Sequence, residues 1–296
     1  MRAARLHELG KPPAPEEIEG GGAFEVAAVA LNPLDLAVGS GRFYGGHPPL
    51  PYVPGSEAVA RRNGERVYLF GEGRGTARDG FLAERVDFPD ELTVTVPDAI
   101  DDAVAVAAGI AGLAGYIPVA RVARVAQGDS VLVLGATGFV GGVAVQTAKL
   151  AGAARVVAAG RDAAKLAGAL ELGADATVLL DDDYDEEFDV IIDPLWGEPL
   201  AHALGAAAPG ARVVHLGQSA GPEATLSSGT VRGKQLRILG HSNFALPRED
   251  LREAYLELLG HVAAGRIRID VETFPLERVA DAWSAQERRE KAVVTL

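Results

Sequence analysis

Apolar and polar residues follow two different patterns along the chain. Over the first hundred residues, short apolar runs alternate with Pro- and Gly-rich connections, which is typical of β-structure. The predicted strands are 24–31, 53–60, 66–70, 81–88 and 92–96. Residues 39–55 contain five glycines and four prolines, so they predict a long loop rather than a regular element.

Beyond residue 100 the pattern changes to alternating strands and helices. An Ala-rich stretch, 101–124, predicts two helical pieces separated at Pro118. The strands predicted after it are 130–134, 155–159, 176–180, 189–192, 212–216 and 235–240, and the helices are 140–151, 163–172 and 199–208. Such a series implies an α/β fold, in which helices cover both faces of a parallel sheet.

The C-terminal tail departs from this alternation. It predicts a long helix at 248–264, a strand at 270–274, a helix at 276–286 and a final strand at 291–296. We expect the end of the tail to return to the first region, which would make the first domain discontinuous in sequence.

Length and composition fit a soluble protein of two domains. The chain has 296 residues, of which 48% are hydrophobic, so it can fill two cores. The most apolar stretch, 104–120, is interrupted by glycines and a proline, which argues against a membrane span. The first residues have no apolar signal core, so a cytoplasmic location is expected.

Charge and cysteine content exclude several functional classes. The formal net charge is −13, and no basic stripe offsets it, which argues against binding to nucleic acid. The chain has no cysteine, which excludes disulfides, iron–sulfur clusters, thiol nucleophiles and Cys-based zinc sites. No two of the six histidines lie within four residues of each other, so there is no local pair of metal ligands.

The strongest motif is the sequence VLVLGATGFVGGVAVQTAKLAG at 131–152. An apolar strand leads into the glycine-rich turn Gly135, Ala136, Thr137, Gly138, Phe139, Val140 and Gly141, and a predicted helix follows at once. Glycines in such a turn let the backbone approach a pyrophosphate, which then lies at the positive end of the helix. Because a strand precedes the turn and a helix follows it, the motif predicts a dinucleotide site.

The end of the second strand indicates which dinucleotide binds. An acidic residue there would bond the ribose 2′-hydroxyl of NAD, but this position is Gly160. Arg161 follows and Lys165 lies one helical turn later, two cations suited to the 2′-phosphate of NADPH. The alternative is that Asp162 takes the ribose hydroxyl. Asp162 is better explained as the N-cap of the next helix, so we predict NADPH.

The glycine motif also opens many short-chain dehydrogenases, but those enzymes carry it near the N-terminus together with a Tyr-x-x-x-Lys pair. None of the six tyrosines here has a lysine four residues on. The chain instead resembles the medium-chain dehydrogenase/reductase superfamily over nearly its full length. The matching segments, in order, are 32–35 (NPLD), 54–57 (PGSE), 80–84 (GFLAE), 112–116 (GLAGY), 128–141, 172–175 (LGAD) and 291–294 (KAVV).

This resemblance implies two domains. The first is a GroES-like β domain that binds substrate, formed by residues 1–100 and 266–296. The second is a Rossmann domain with a doubly wound parallel sheet, residues 101–265, that binds the dinucleotide. Relatives of this kind commonly form homodimers by pairing the edge of the Rossmann sheet, here the strand at 235–240. The alternative is a monomer in which the charges of Arg232, Lys234 and Arg237 keep this edge from pairing.

The zinc alcohol dehydrogenases of the superfamily have Gly-His-Glu where this chain has Gly55, Ser56 and Glu57. Because Ser56 replaces the histidine and cysteines are lacking, the chain resembles the zinc-free quinone oxidoreductase branch. We therefore expect no metal and a small-molecule acceptor that takes hydride without a Lewis acid, a quinone or an α,β-unsaturated carbonyl. The alternatives are an enoyl-type reductase of a biosynthetic intermediate and a non-catalytic NADPH-binding redox partner.

The resemblance also suggests residues near the nicotinamide. It places Asn32 there, although Asn32 also suits a turn with Pro33 at the end of a strand. We expect the segment Leu216, Gly217 and Gln218 to pass the nicotinamide ribose, and Ser242 to occupy the equivalent place after the last Rossmann strand. Tyr44 and Tyr52 are weak candidates for donating a proton to substrate, and surface positions explain them equally well.

Overall fold

In the computed structural model, which describes all 296 residues, the N-terminal region forms a two-stranded sheet from its first two strands and most of a second, mostly antiparallel sheet. The strands are β1 (Arg2–Arg5), β2 (Ala14–Glu17), β3 (Phe24–Ala30), β4 (Glu57–Arg62), β5 (Glu65–Phe70), β6 (Arg85–Val86) and β7 (Val94–Thr95). A short helix, α1 (Pro33–Gly39), follows β3. Neither α1 nor the β1–β2 hairpin was predicted from the sequence pattern.

Three of the predicted strands in this region need correction, and one of them, 92–96, is reduced to Val94–Thr95. Strand β4 begins at Glu57 rather than at residue 53 and extends to Arg62, because Asn63 and Gly64 close a two-residue hairpin with φ of 51° and 84°. The predicted strand 81–88 is reduced to Arg85–Val86. Residues 81–83 are buried. Their backbone hydrogen bonds, and that of Glu84, go partly to loop residues and partly to strand residues, so no continuous ladder forms.

The Ala-rich segment is helical from Asp102 to Ala123, but it breaks at a position that differs from the predicted one. It contains α2 (Asp102–Ala107) and α3 (Leu113–Ile117), and between them Gly109 has non-helical angles (φ −65°, ψ −116°). Pro118 starts a further helical turn instead of ending the helix. A Cβ at Gly109 would lie 2.1 Å from Glu57 Oε2, and Ile110 N donates to the same oxygen at 2.7 Å, so a buried carboxylate packs against the backbone at the break.

By length and composition, Asp102–Ala123 could cross a membrane, but 78% of its most apolar window is buried inside the protein. That is typical of the core helix of a soluble protein.

Strands and helices then alternate as predicted and form a parallel sheet. The elements are β8 (Ser130–Leu134), α4 (Phe139–Leu150), β9 (Arg155–Gly160), α5 (Ala163–Glu171), β10 (Ala176–Leu179), β11 (Phe188–Asp193), α6 (Gly197–Ala203), β12 (Ala207–His215), α7 (Ser228–Gly233), β13 (Arg237–Gly240) and α8 (Arg248–Ala263). The strand order β10-β9-β8-β11-β12-β13 is the doubly wound order, which confirms the predicted Rossmann sheet.

Two details of this sheet differ from the sequence prediction. The predicted helix 199–208 ends earlier, because Ala207 already pairs with Phe188 as the start of β12. Helix α7 was not predicted. Two apolar clusters, one on each face of the sheet, hold the helices in place.

The chain ends with β14 (Glu272–Pro275), α9 (Val279–Glu287) and β15 (Ala292–Thr295). Strand β15 pairs antiparallel with β3, so the tail completes the N-terminal sheet in the order β14-β15-β3-β4-β5-β7. The chain accordingly divides into two compact units, residues 1–110 with 269–296 and residues 111–268.

Candidate cofactor edge and buried polar cluster

The glycine-rich turn connects β8 to α4 and brings backbone atoms unusually close together. Gly135 has a φ of +64°, which favours glycine, and a Cβ at Gly141 would lie 2.5 Å from the Gly135 carbonyl oxygen. Helix α4 begins after Gly138 without a side-chain cap. The start of the helix therefore presents backbone rather than side chains, which fits an anionic pyrophosphate.

The end of β9 lies beside this turn. Ala136 N donates to Ala159 O at 3.0 Å, and a Cβ at Gly160 would meet the Thr137 methyl group at 2.8 Å. Close packing against Thr137 therefore favours glycine at 160, the position where NAD-binding proteins carry a carboxylate.

The charged residues after Gly160 are arranged as the NADPH prediction requires. Asp162 Oδ1 accepts from Ala164 N at 3.0 Å and from Lys165 N at 3.2 Å, which confirms that Asp162 is the N-cap of α5. The side chains of Arg161 and Lys165 are exposed and make no hydrogen bond or ion pair within the protein. Arg161 and Lys165 are thus two cations without a partner, and they lie close to Gly160, where an NAD-binding protein would carry an acidic residue.

The remaining candidate cofactor residues follow the next strands of the sheet. Leu216 comes directly after β12, and its N–H donates to Asp193 O at 2.9 Å. A Cβ at Gly217 would lie 2.8 Å from Pro194 O, and Gln218 is exposed. Ser242 comes two residues after the end of β13. The structure therefore brings all candidates between Gly135 and Ser242 to the carboxyl edge of one parallel sheet, where open α/β folds bind ligands.

Sequence reasoning missed a buried acid–histidine pair at this edge. Asp193 is the last residue of β11 and His215 the last residue of β12, and Asp193 Oδ2 lies 3.1 Å from His215 Nδ1. Burial raises the pKa of Asp193, while its hydrogen bonds oppose that shift. A titratable residue at the last position of a buried parallel strand is the signal that could have pointed to this pair.

The turn after Asp193 has an unusual backbone. Trp196 has φ of 60° and ψ of −167°, a region occupied almost only by glycine, and such a residue costs of order 1–3 kcal/mol. Its ring lies 4.1 Å from the His215 ring between centroids, at an interplanar angle of 41°.

The first unit contains a separate cluster of buried polar side chains around Asn32. Asn32 Nδ2 donates to Glu57 Oε1 at 2.7 Å, and Lys291 Nζ donates to Asn32 Oδ1 at 2.7 Å. Glu57 Oε2 accepts from Tyr68 OH and from Ile110 N, both at 2.7 Å. The amide of Asn32 is thus fully engaged inside the unit, between an acid and an amine.

Burial dominates the ionisation of this cluster. It raises the pKa of Glu57 and lowers the pKa of Lys291, and the attraction between the two charges opposes both shifts. Burial also raises the pKa of Asp35 to about 6, and Asp35 Oδ2 accepts from Asn32 N at 2.8 Å.

Three polar atoms in this cluster are buried without a hydrogen-bond partner: Asp35 Oδ1, Ser56 Oγ and Tyr52 OH. Tyr44, by contrast, is 96% exposed, so of the two candidate tyrosines only Tyr44 presents its hydroxyl to solvent.

No three His, Asp or Glu side chains are arranged as a metal-binding group.

Comparison with known proteins places these features in context. Residues 140–260 match the model of the family described as zinc-binding dehydrogenases. The chain is 28% identical to the quinone oxidoreductase of Rattus norvegicus, over 95% of this chain and 92% of the rat protein.

Solved structures extend the likeness to the whole fold. The quinone oxidoreductase of Thermus thermophilus, solved also with NADPH, is 28% identical, with a TM-score of 0.84 and complete coverage of both chains. An NAD-dependent alcohol dehydrogenase is 27% identical, with a TM-score of 0.86 and complete coverage of both chains. The likeness covers both the Rossmann-like parallel sheet and the separate antiparallel sheet of this chain.

Proposed function

We propose that this chain, which belongs to the quinone oxidoreductase branch of the medium-chain dehydrogenase/reductase superfamily, is an NADPH-dependent oxidoreductase. Its acceptor would be a quinone or an α,β-unsaturated carbonyl, reduced without a metal ion. The proposal rests mainly on the residues at the end of β9. There Gly160 leaves no room for an acid, Asp162 is used as a helix cap, and the cations Arg161 and Lys165 are unpaired.

The residues present fit a bound dinucleotide. The uncapped start of α4 and the close approach of Gly135 and Gly141 would hold the pyrophosphate, and Arg161 and Lys165 would hold the 2′-phosphate. The reduced nicotinamide supplies the hydride when the cofactor is bound. The protein would contribute orientation and the exclusion of water.

The acceptor class follows from the donor groups in the first unit. Ser56 stands where zinc alcohol dehydrogenases carry a histidine ligand, and a neutral hydroxyl is a poor zinc ligand. Without a Lewis acid, a quinone or enone accepts hydride more readily than a simple ketone, because the added charge is delocalised.

Steady-state oxidation of NADPH with a panel of acceptors tests the proposal. We expect turnover with a benzoquinone, a naphthoquinone or an alkenal, and at least tenfold lower kcat/KM with a matched saturated ketone. Turnover restricted to enoyl thioesters would favour an enoyl-type reductase. NADPH binding without turnover on any acceptor would favour a non-catalytic redox partner, and equal kcat/KM for NADH would contradict the cofactor assignment.

A further inference from the structure

The pair formed by Asp193 and His215 is built into the ends of two neighbouring strands. The two residues are register partners in the parallel ladder of β11 and β12. Asp193 is fully buried, and its Oδ1 accepts from Leu195 N and Trp196 N, both at 2.9 Å, while Oδ2 faces His215 Nδ1 at 3.1 Å. The carboxylate therefore has three donors and a fixed orientation.

This arrangement sets the chemistry of the other ring nitrogen of His215. With Nδ1–H of the neutral imidazole donating to the carboxylate, Nε2 carries a lone pair and acts as an acceptor. Nε2 has no hydrogen-bond partner in the protein, and the His215 side chain is 27% exposed. The ring is held on one side by Asp193 and on another by the Trp196 ring, so its open nitrogen is preoriented.

The backbone of Trp196 is a second sign of a ligand site, next to the pair. Its φ is 60° and its ψ is −167°, and its N–H, like that of Leu195, donates to Asp193 Oδ1 at 2.9 Å. Strained residues of this kind cluster at ligand-binding sites, because the surrounding structure is built to hold them.

The position of the pair in the sheet indicates which part of a dinucleotide it faces. The strand order reverses between β8 and β11. In a Rossmann fold each half of the sheet binds one half of the dinucleotide. Strands β8 and β9, with the glycine turn and Gly160, would bind the adenosine half. The nicotinamide half would then lie at the ends of β11, β12 and β13. Asp193 and His215 end two of those three strands.

From this geometry we infer that His215 is a cofactor-binding residue whose Nε2 accepts a hydrogen bond from a ribose hydroxyl of the nicotinamide half. Asp193 and Trp196 are positioning residues, which fix the tautomer and the plane of the imidazole. The inference rests on the proposed function, because it requires that the sheet edge binds NADPH.

Calorimetric titration of the full chain with NADPH and with 2′,5′-ADP separates the two claims. The variant His215→Asn keeps a donor for Asp193 but removes the acceptor at Nε2. We expect it to bind NADPH about tenfold more weakly, the effect of one lost hydrogen bond, while 2′,5′-ADP binds unchanged. His215→Gln places an amide oxygen near Nε2 and should restore part of the loss. His202→Asn, which changes a histidine bonded to the Asp182 carbonyl, is the matched control and should change neither affinity.

Other outcomes would overturn the inference. If His215→Asn leaves both affinities unchanged, or weakens both equally, His215 does not contact the nicotinamide half. If the wild-type chain binds neither ligand, the proposed function itself fails. Should His215→Asn not fold, ¹⁵N spectra of wild-type protein labelled at histidine provide the test. The Nε2 signal of His215 must shift on addition of NADPH and stay in place with 2′,5′-ADP, and an unmoved signal would refute the contact.

Discussion

Lys291 Nζ lies 2.7 Å from Asn32 Oδ1, which links the residue before the last strand to the residue before the first helix. The same amine donates to Leu31 O at 2.9 Å, and the amide nitrogen of Asn32 reaches Glu57 Oε1. The C-terminal tail thus closes the first unit by a polar contact as well as by the pairing of β15 with β3. The contact also fixes which way the Asn32 amide points.

The buried carboxyl of Asp35 should make stability depend on pH. Burial raises its pKa from an ordinary 3.8 to about 6, so the folded chain binds the proton more tightly than the unfolded chain does. This contribution to the free energy of unfolding is fully present below pH 3.8 and is lost as the pH rises towards 6 and above.

The variant Asp35→Asn should therefore be more stable than the wild type by about 1–3 kcal/mol at pH 7–8, a difference that shrinks towards pH 4. The amide oxygen of the variant can still accept from Asn32 N. Urea unfolding at several pH values measures the difference. The exposed Asp98→Asn should show no such trend, and a destabilised Asp35→Asn at pH 8 would contradict the argument.

Arg161 should determine the preference for NADPH. The variant Arg161→Ala should lose roughly ten- to a hundredfold in affinity for NADPH and little for NADH, because only NADPH has a 2′-phosphate. Fluorescence titration with both cofactors measures the two affinities. Arg232→Ala is the control. Arg232 is exposed in the last turn of α7 and makes no ion pair, so its loss should change neither affinity. Equal losses for the two cofactors would show that Arg161 does not contact the phosphate.

Strand β13 should form a dimer interface, since it is confirmed as an edge of the parallel sheet and carries no proline. Lys234 does not block this edge, because its amine donates to Gly205 O and Ala207 O, both at 2.7 Å. Light scattering at micromolar concentration should give twice the chain mass of 30.7 kDa.

The variant Ile238→Pro should reduce that mass to 30.7 kDa while Thr177→Pro, on the opposite edge strand β10, should leave the dimer intact. A wild-type mass of one chain would refute the dimer.

Metal independence should be measurable directly. Because Ser56 offers only a hydroxyl and the chain has no cysteine, purified protein should contain far less than one zinc per chain, and turnover should survive EDTA. Elemental analysis is the measurement. One zinc per chain, or activity restored by zinc after chelation, would contradict the prediction.

Local patterns in the chain were enough to predict the Rossmann sheet, the glycine-rich turn and the lack of an acidic residue at the end of β9. These features depend on residues close together in the chain: an apolar strand, glycines at fixed spacing, and Asp162 directly before the helix that it caps. Alternating strands and helices admit few arrangements, so the pattern predicted the parallel sheet with its edge at β13.

The contacts between polar groups from distant segments could not be predicted in this way and become visible only in the folded chain. The helix breaks at Gly109 rather than at Pro118, and at the break Glu57, 52 residues earlier, accepts from Ile110 N. Asp193 and His215 meet because β11 and β12 pair in one register, and Lys291 reaches Asn32 because β15 returns beside β3. Local sequence patterns record propensity and burial, but contacts between separate strands depend on register and topology, which no single segment contains.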